Sequence, residues 1–261
     1  MPATTSPEAG AGPPGGADAL LGGRVRVVQP ASGYRAAVDP VLLAASVPAA
    51  PGERVLDLGA GVGAAAMCLA ARIPGVLVEG IELQPDLAAA AAEGARLSGL
   101  ADRVRVVAGD LRGPPGPIAA GGYDHVLANP PYLRAGGATP PPDASKAAAN
   151  VEGEGGLPAW TDAAARLLRP RGLLALVHRA DRLGDVLSAL RPRFGGLVLL
   201  PVHPRAGAPA TRILVSARLG GRGPDAVLPG LVLHGAGGGF ADAVEAVLRD
   251  AAAIPMRPPA R

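Results

Sequence analysis

From residue 54 to residue 219 the chain alternates short apolar runs with helix-like stretches, and this alternation restricts the fold more than any other feature. RVLDLG (54–59), VLVEGIEL (76–83), RVRVVAGD (103–110), YDHVLANP (123–130) and GLLALVH (172–178) read as buried strands. Between them AAAMCLAARI (64–73), PDLAAAAAEGARLSG (85–99), AWTDAAARLLRP (159–170) and DRLGDVLSAL (181–190) read as helices. The second of these is opened by Pro85 and closed near Gly99. Two last strands, GLVLLPV (196–202) and TRILVSARL (211–219), have no helix between them. The expectation is an α/β fold: a seven-stranded, mostly parallel sheet, helices on both faces and an antiparallel hairpin at one edge.

The flanks divide the chain further. Residues 1–19 are Gly-, Pro- and Ala-rich with almost nothing to bury, and are expected to form a disordered tail. Residues 20–52 hold a strand, RVRVVQP, and a helix, VDPVLLAASV, with Asp39 as a cap and Pro40 at its first turn. Residues 53–219 form the α/β domain, and 220–261 a C-terminal appendage of one short strand and one helix. No run of eighteen residues is free of charges or Gly/Pro breaks, so a membrane span is not expected. The first residues have neither the basic nor the apolar part of a secretory signal. One cysteine, Cys68, permits no internal disulfide and no multi-cysteine metal site, and the four histidines have no metal-ligand spacing. A cytoplasmic location is the simplest reading.

Charge is unevenly spread. Residues 163–223 contain eleven arginines against Asp181 and Asp185, a balance of +9, while the other 200 residues balance at −6. All basic residues but Lys146 are arginine, which reflects composition, but composition does not explain the missing acids. The asymmetry points to a surface for a polyanion, a nucleic acid being the expected partner.

DLGAGVG (57–63) sits where the first strand meets the first helix of the α/β domain. Gly59, Gly61 and Gly63 permit a tight turn and close backbone approach, and the helix N-terminus beyond offers free N–H groups. Alone, such a loop suits nicotinamide dinucleotides, flavins, S-adenosylmethionine or merely a turn. Three acids bear on the choice. Asp57, just before the loop, would oppose a pyrophosphate but suits a cofactor carrying ammonium and sulfonium groups. Glu82 ends the second strand, 25 residues later, where a carboxylate can accept from both ribose hydroxyls. Asp110 ends the third, in reach of an adenine amino group. Each alone could be a helix cap; three at one end of a parallel sheet suggest a ligand crevice. Met67 and Cys68 fall inside the helix as packing.

Aromatic residues make up 2% of the chain, yet the fourth strand ends in Asn129, Pro130, Pro131 and Tyr132. The lone pair of an exocyclic amine or carboxamide nitrogen is delocalised, so attack on a methyl needs its protons held while it pyramidalises. The amide oxygen of Asn129 and the backbone carbonyl of Pro130 supply two fixed acceptors, and the prolines stiffen the loop. Tyr132 offers a face for a planar substrate, worth roughly 1–3 kcal/mol for a base. Alignment with the methyl donor is worth more, roughly 7–11 kcal/mol.

In this order, DLGAGVG, IEL, AGDL and LANPPY resemble the class I amino-methyltransferases that use S-adenosylmethionine, over residues 54–219. SGYRAAVDPVLLAASV upstream, with VHRADRLGDVLSAL and PVHPRAGAPATRILVSARLGGRG downstream, is similar to the bacterial tRNA (adenine-N6) methyltransferases, which act on a valine tRNA base beside the anticodon. The resemblance implies a Rossmann-like fold with 53–219 as catalytic domain. It implies that Asp57 and the three glycines line the methionine and ribose part of the cofactor site, that Glu82 binds ribose and Asp110 adenine. It implies that Asn129 to Tyr132 take the target amine, and that Asp39 closes over the methionine end. Tyr34 and Arg35, and the long Pro/Gly-rich loop at 133–156, depart from that pattern. His178 ends the fifth strand and could border the pocket, though a structural role weighs more. Competing readings are a glutamine N5-methyltransferase of release factors, which normally has a larger helical domain in front, a ribosomal RNA base methyltransferase, and an inert RNA-binding module on the same fold.

Overall fold

The computed structural model describes residues 17–29, 38–132 and 155–257. Residues 1–16 of the expected tail, Tyr34, Arg35 and nearly all of the 133–156 loop lie outside the described residues.

The alternation folds as its spacing dictates. β3 (Arg54–Leu58), β4 (Leu77–Glu82), β5 (Val104–Ala108), β6 (Tyr123–Ala128) and β7 (Leu168–Arg179) run parallel in the order β5-β4-β3-β6-β7. β3 and β6 occupy the centre, and their residues Val55 to Leu58 and His125 to Ala128 are buried on both faces. Successive side chains of a strand point to opposite faces, so each face has its own core. Val55 joins α1 (Val38–Ser46), α2 (Ala64–Arg72) and α3 (Pro85–Leu97) on one side. Leu56 and Leu58 join α4 (Gly156–Leu167) and α5 (Leu183–Leu190) on the other. No helix joins β5 to β6; Ile118 from that loop fills the second core instead.

The closing pair, β8 (Phe194–Arg205) and β9 (Arg212–Leu219), is antiparallel as expected, with a difference in placement. β9 inserts between β7 and β8 and runs antiparallel to both, because its Ile213 to Ala217 run is buried through and needs a neighbour on each side. β8 is left outermost and takes two short parallel additions, β10 (Ala226–Val227) and β11 (Leu231–His234). The seven expected strands are therefore the body of a nine-stranded sheet among the described residues.

At the N-terminal flank, β1 (Asp18–Leu20) pairs with β2 (Val25–Val27), so Asp18 and Ala19 of the stretch expected as tail are in a strand. This hairpin lies on α3, where Gly94 is needed: a Cβ there would stand 2.8 Å from the Arg26 carbonyl. The last helix, α6 (Asp242–Asp250), buries Val244 and Val247, and Ile254 N–H donates to the Ala45 carbonyl at 2.9 Å. Residues beyond 219 thus share the main sheet and its core, with no break at that boundary.

Candidate active site

In a parallel sheet the loops that follow the strands gather at one edge, and here they bring the sequence motifs together. Register pairs Leu58 of β3 with Ala128 of β6. The residues that follow, Gly59 and Asn129, therefore leave adjacent strands side by side, about 5 Å apart.

On the β3 side, Gly59, Gly61 and Gly63 have φ of +63°, +55° and +75°, a conformation that disfavours any other residue. The turn is pinned to the next strand: Ala60 N–H donates to the Ile81 carbonyl at 3.0 Å. Gly61 N–H donates to one Glu82 oxygen and Gln84 N–H to the other, both at 2.8 Å. Glu82 is 6% exposed and its charge is met by two backbone donors, each bond worth roughly 1.5–3 kcal/mol. A carboxylate offers about four acceptor positions, which leaves two for a ligand. A Cβ on Gly61 would meet nothing within 4 Å, whereas one on Gly59 would lie 2.4 Å from the Trp160 ring. Trp160, the chain's one tryptophan, thus reaches from α4 onto the glycine turn. Nothing in the sequence marked it except its rarity.

Asp57 is 3% exposed, and one of its carboxylate oxygens has no partner. Burial drives its pKa well above the ordinary carboxylate range, the Ala66 backbone N–H opposes that, and the nearby Glu82 charge adds to it. Two acids side by side, one with an orphaned oxygen, form a site short of a cation. Asp110 differs. It stands two residues past the end of β5, half-exposed, and is held by Arg112 through its backbone N–H at 2.8 Å and its guanidinium at 2.7 Å. The Arg112 side chain and then its N–H hold the Asp110 pKa below the usual value. Any adenine amine reaching Asp110 would share it with Arg112.

On the β6 side, Asn129 is half-buried and Pro130 buried. The Tyr132 hydroxyl lies 2.7 Å from the Asn129 carboxamide and 2.8 Å from Asp39 Oδ2. Asp39, in the first turn of α1, also accepts from Arg212 Nε at 3.0 Å. The Arg212 guanidinium covers the Tyr132 ring at 4.9 Å, and His178 meets that ring edge-on at 5.3 Å. Arg182 donates to the Tyr132 carbonyl at 3.0 Å. His178 is fully buried behind the tyrosine; burial, with Arg182 adding, pushes its pKa down to about 4, so it is neutral at pH 7. Of the expected site residues, Asp57, Glu82 and the glycines form one cluster and Asn129, Tyr132 and Asp39 another. Arg212 was invisible in the sequence: it belongs to the β9 strand that returns antiparallel to this edge.

The eleven arginines of 163–223 separate as well. Arg179, Arg182, Arg205 and Arg212 lie at the carboxyl edge of the parallel strands, and three of them are half-buried and paired, with Asp181, Asp185 and Asp39. The other seven lie at the opposite, amino edge, all exposed. There Arg193 pairs with Asp162 and Arg191 with Asp225, both at 2.6 Å, acids just outside the stretch counted. Arg169 pairs with Asp124 at 2.8 Å. Arg166, Arg171 and Arg193 line an open groove of about 650 Å³ at this amino edge. Among the described residues no group of three His, Cys, Asp or Glu is placed to hold a metal, and no helix is long and apolar enough to cross a membrane.

The fold and the two clusters at one strand edge define a class I methyltransferase, and residues 36–151 match the family described as methyltransferase small domain. The chain belongs to the family of bacterial tRNA1(Val) (adenine(37)-N6)-methyltransferases. Curated members of that name are 32–36% identical to it, matched over 61–84% of their own lengths. The one from Aeromonas hydrophila is 34% identical over 209 residues, 78% of this chain and 84% of that relative. A Streptomyces pristinaespiralis protein named 4-amino-L-phenylalanine/4-methylamino-L-phenylalanine methyltransferase is 38% identical over 143 residues, 52% of this chain and 47% of that one. Among solved structures, a predicted O-methyltransferase from Agrobacterium tumefaciens superimposes with a TM-score of 0.71 at 27% identity, covering 84% of this chain and all of that one.

Proposed function

We propose that the protein is an S-adenosylmethionine-dependent N-methyltransferase acting on the N6 amine of an adenine in tRNA. One observation supports the reading above the others: the Leu58–Ala128 register lets Asn129 leave β6 next to Gly59, which leaves β3 into the glycine turn. S-adenosylmethionine, when bound, supplies a methyl made electrophilic by its sulfonium. The orphaned Asp57 oxygen fits its ammonium, the open side of Gly61 admits close approach, and the two spare acceptor positions of Glu82 suit ribose hydroxyls. Asp110 takes the adenine amine of the cofactor, shared with Arg112.

The chain's own groups then handle the target amine. The Asn129 oxygen and the Pro130 carbonyl accept hydrogen bonds from its two N–H groups and hold the nitrogen as it pyramidalises, and Pro130 is buried, which restrains that carbonyl. The target base lies on the face of Tyr132 that Arg212 does not cover. RNA is held from the carboxyl edge, where Arg205 is exposed, round to the exposed arginines of the amino edge.

A second reading is favoured by the Streptomyces relative, whose name gives it a small aromatic amine. An aryl amine has the same delocalised lone pair and needs the same two acceptors. One assay separates the possibilities: purified protein with methyl-labelled cofactor and, separately, total tRNA, ribosomal RNA, a release factor and 4-amino-phenylalanine. Label in tRNA that digests to N6-methyladenosine supports the proposal; label only in one of the other three replaces it.

A further inference from the structure

Tyr132 raises a problem of counting protons. Its hydroxyl has one, yet its oxygen lies 2.8 Å from Asp39 Oδ2 and 2.7 Å from the Asn129 carboxamide oxygen. One O–H cannot serve two acceptors at those distances. Asp39 is a carboxylate, tied at 3.0 Å to Arg212, and can only accept. A charged acceptor outcompetes a neutral amide, so the phenol proton goes to Asp39. The contact with Asn129 must then be made by a donor on Asn129. Half a turn of the carboxamide exchanges Oδ1 for Nδ2 without changing its shape, and only that rotamer satisfies both contacts.

The consequence concerns which end of the amide is left over. With Nδ2 against the phenol oxygen, Oδ1 is turned away from it. The opposite rotamer would present N–H groups where an amine also brings N–H groups, and the two sets of donors would repel. We infer that Asp39 and Arg212 are positioning residues: acting through the Tyr132 hydroxyl, they set which end of Asn129 faces the substrate. Arg212 contributes twice, fixing Asp39 by an ion pair at 3.0 Å and lying on the Tyr132 ring, which holds the phenol in register. This inference rests on Asn129 accepting from the target amine, as proposed above. It also gives Asp39 a different task from closing over the methionine end.

The test begins with Tyr132→Phe, which keeps the ring and removes the hydroxyl. It is expected to lower kcat about tenfold, the effect of removing one orienting hydrogen bond, with KM for RNA and cofactor affinity within about twofold. Asp39→Ala alone should cost a similar factor, and in the Tyr132→Phe background it should cost nothing more. A second readout needs neither cofactor nor RNA. In an amide-selective NMR spectrum one Asn129 Nδ2 proton should be protected from exchange in the native protein and lose protection in Tyr132→Phe. Where Asp39→Ala does not fold, Arg212→Gln replaces it in the cycle. Wild-type kcat in Tyr132→Phe, fully additive losses, or an Asn129 amide that does not respond would each overturn the inference. Near-normal turnover in Asn129→Ala would instead overturn the proposed function beneath it, so the two failures are separable.

Discussion

The two edges of the sheet use charge in opposite ways. At the carboxyl edge the charged groups around the two clusters are drawn inward and engaged, while Arg205 further out stays exposed. Glu82 is bound by two backbone N–H groups, Asp39 by Tyr132 and Arg212, and Asp57 is sealed with an oxygen unpaired. At the amino edge seven arginines project into solvent, and Arg166, Arg171, Arg218 and Arg222 have no carboxylate partner among the described residues. Groups that are held can orient a reacting atom; groups that are solvated can only attract a counter-charge, and do so less in salt. Chemistry and steering are thus expected at different ends of the same strands.

Substitutions can break that division. Asn129→Ala should produce the largest effect, a fall in kcat of at least about a hundredfold with cofactor affinity nearly unchanged. Equal losses in both quantities, measured by single turnover and calorimetry, would show that the two clusters are not functionally distinct. Next, Glu82→Ala should weaken cofactor binding by about tenfold or more, since it removes a ligand acceptor and frees the Gly61 turn. Trp160, lying on Gly59, gives a convenient signal, and its fluorescence should respond to cofactor titration in the native protein.

Asp57→Asn should act with opposite signs in the two states. A folded-state pKa above the unfolded one means that stability is fully present below the unfolded value and is lost as pH rises through the folded value. Ionising the buried Asp57 therefore costs the ligand-free protein stability. The substitution should raise its melting temperature by a few degrees while weakening cofactor binding. In the native protein cofactor affinity should fall as pH drops through the raised pKa; a flat profile would remove Asp57 as the ammonium's partner. The smallest effects belong to the amino edge. Arg166→Gln, Arg171→Gln and Arg222→Gln should each lower the salt slope of tRNA binding by about 0.7–0.9 for every phosphate no longer neutralised, with kcat unchanged. An unaltered slope would move the RNA surface elsewhere.

Legibility in the sequence followed locality. The helix opened by Pro85 was expected to close near Gly99 and ends at Leu97; β6 stops at Ala128 just before the proline pair that forbids more. Local spacing placed Glu82, the glycines and Asn129 at strand ends, where they are. The arginine excess of 163–223 is divided by the fold: Asp162 and Asp225, just outside that stretch, pair with Arg193 and Arg191, and strands that run up and down carry its arginines to opposite edges. Asp39 showed the same limit. As the start of a helix it looked like a cap, but its partners are 93 and 173 residues away.

The order of residues along this chain determined which backbone turns are possible and which side chains finish each strand. Those properties depend on neighbours within a few positions, through φ restrictions and the two-residue alternation of a strand. Only the folded sheet decided that β9 returns between β7 and β8, carrying Arg212 to the tyrosine, and that α4 brings Trp160 to Gly59. Those pairings follow from strand order and burial across the whole core, which no local run of residues contains.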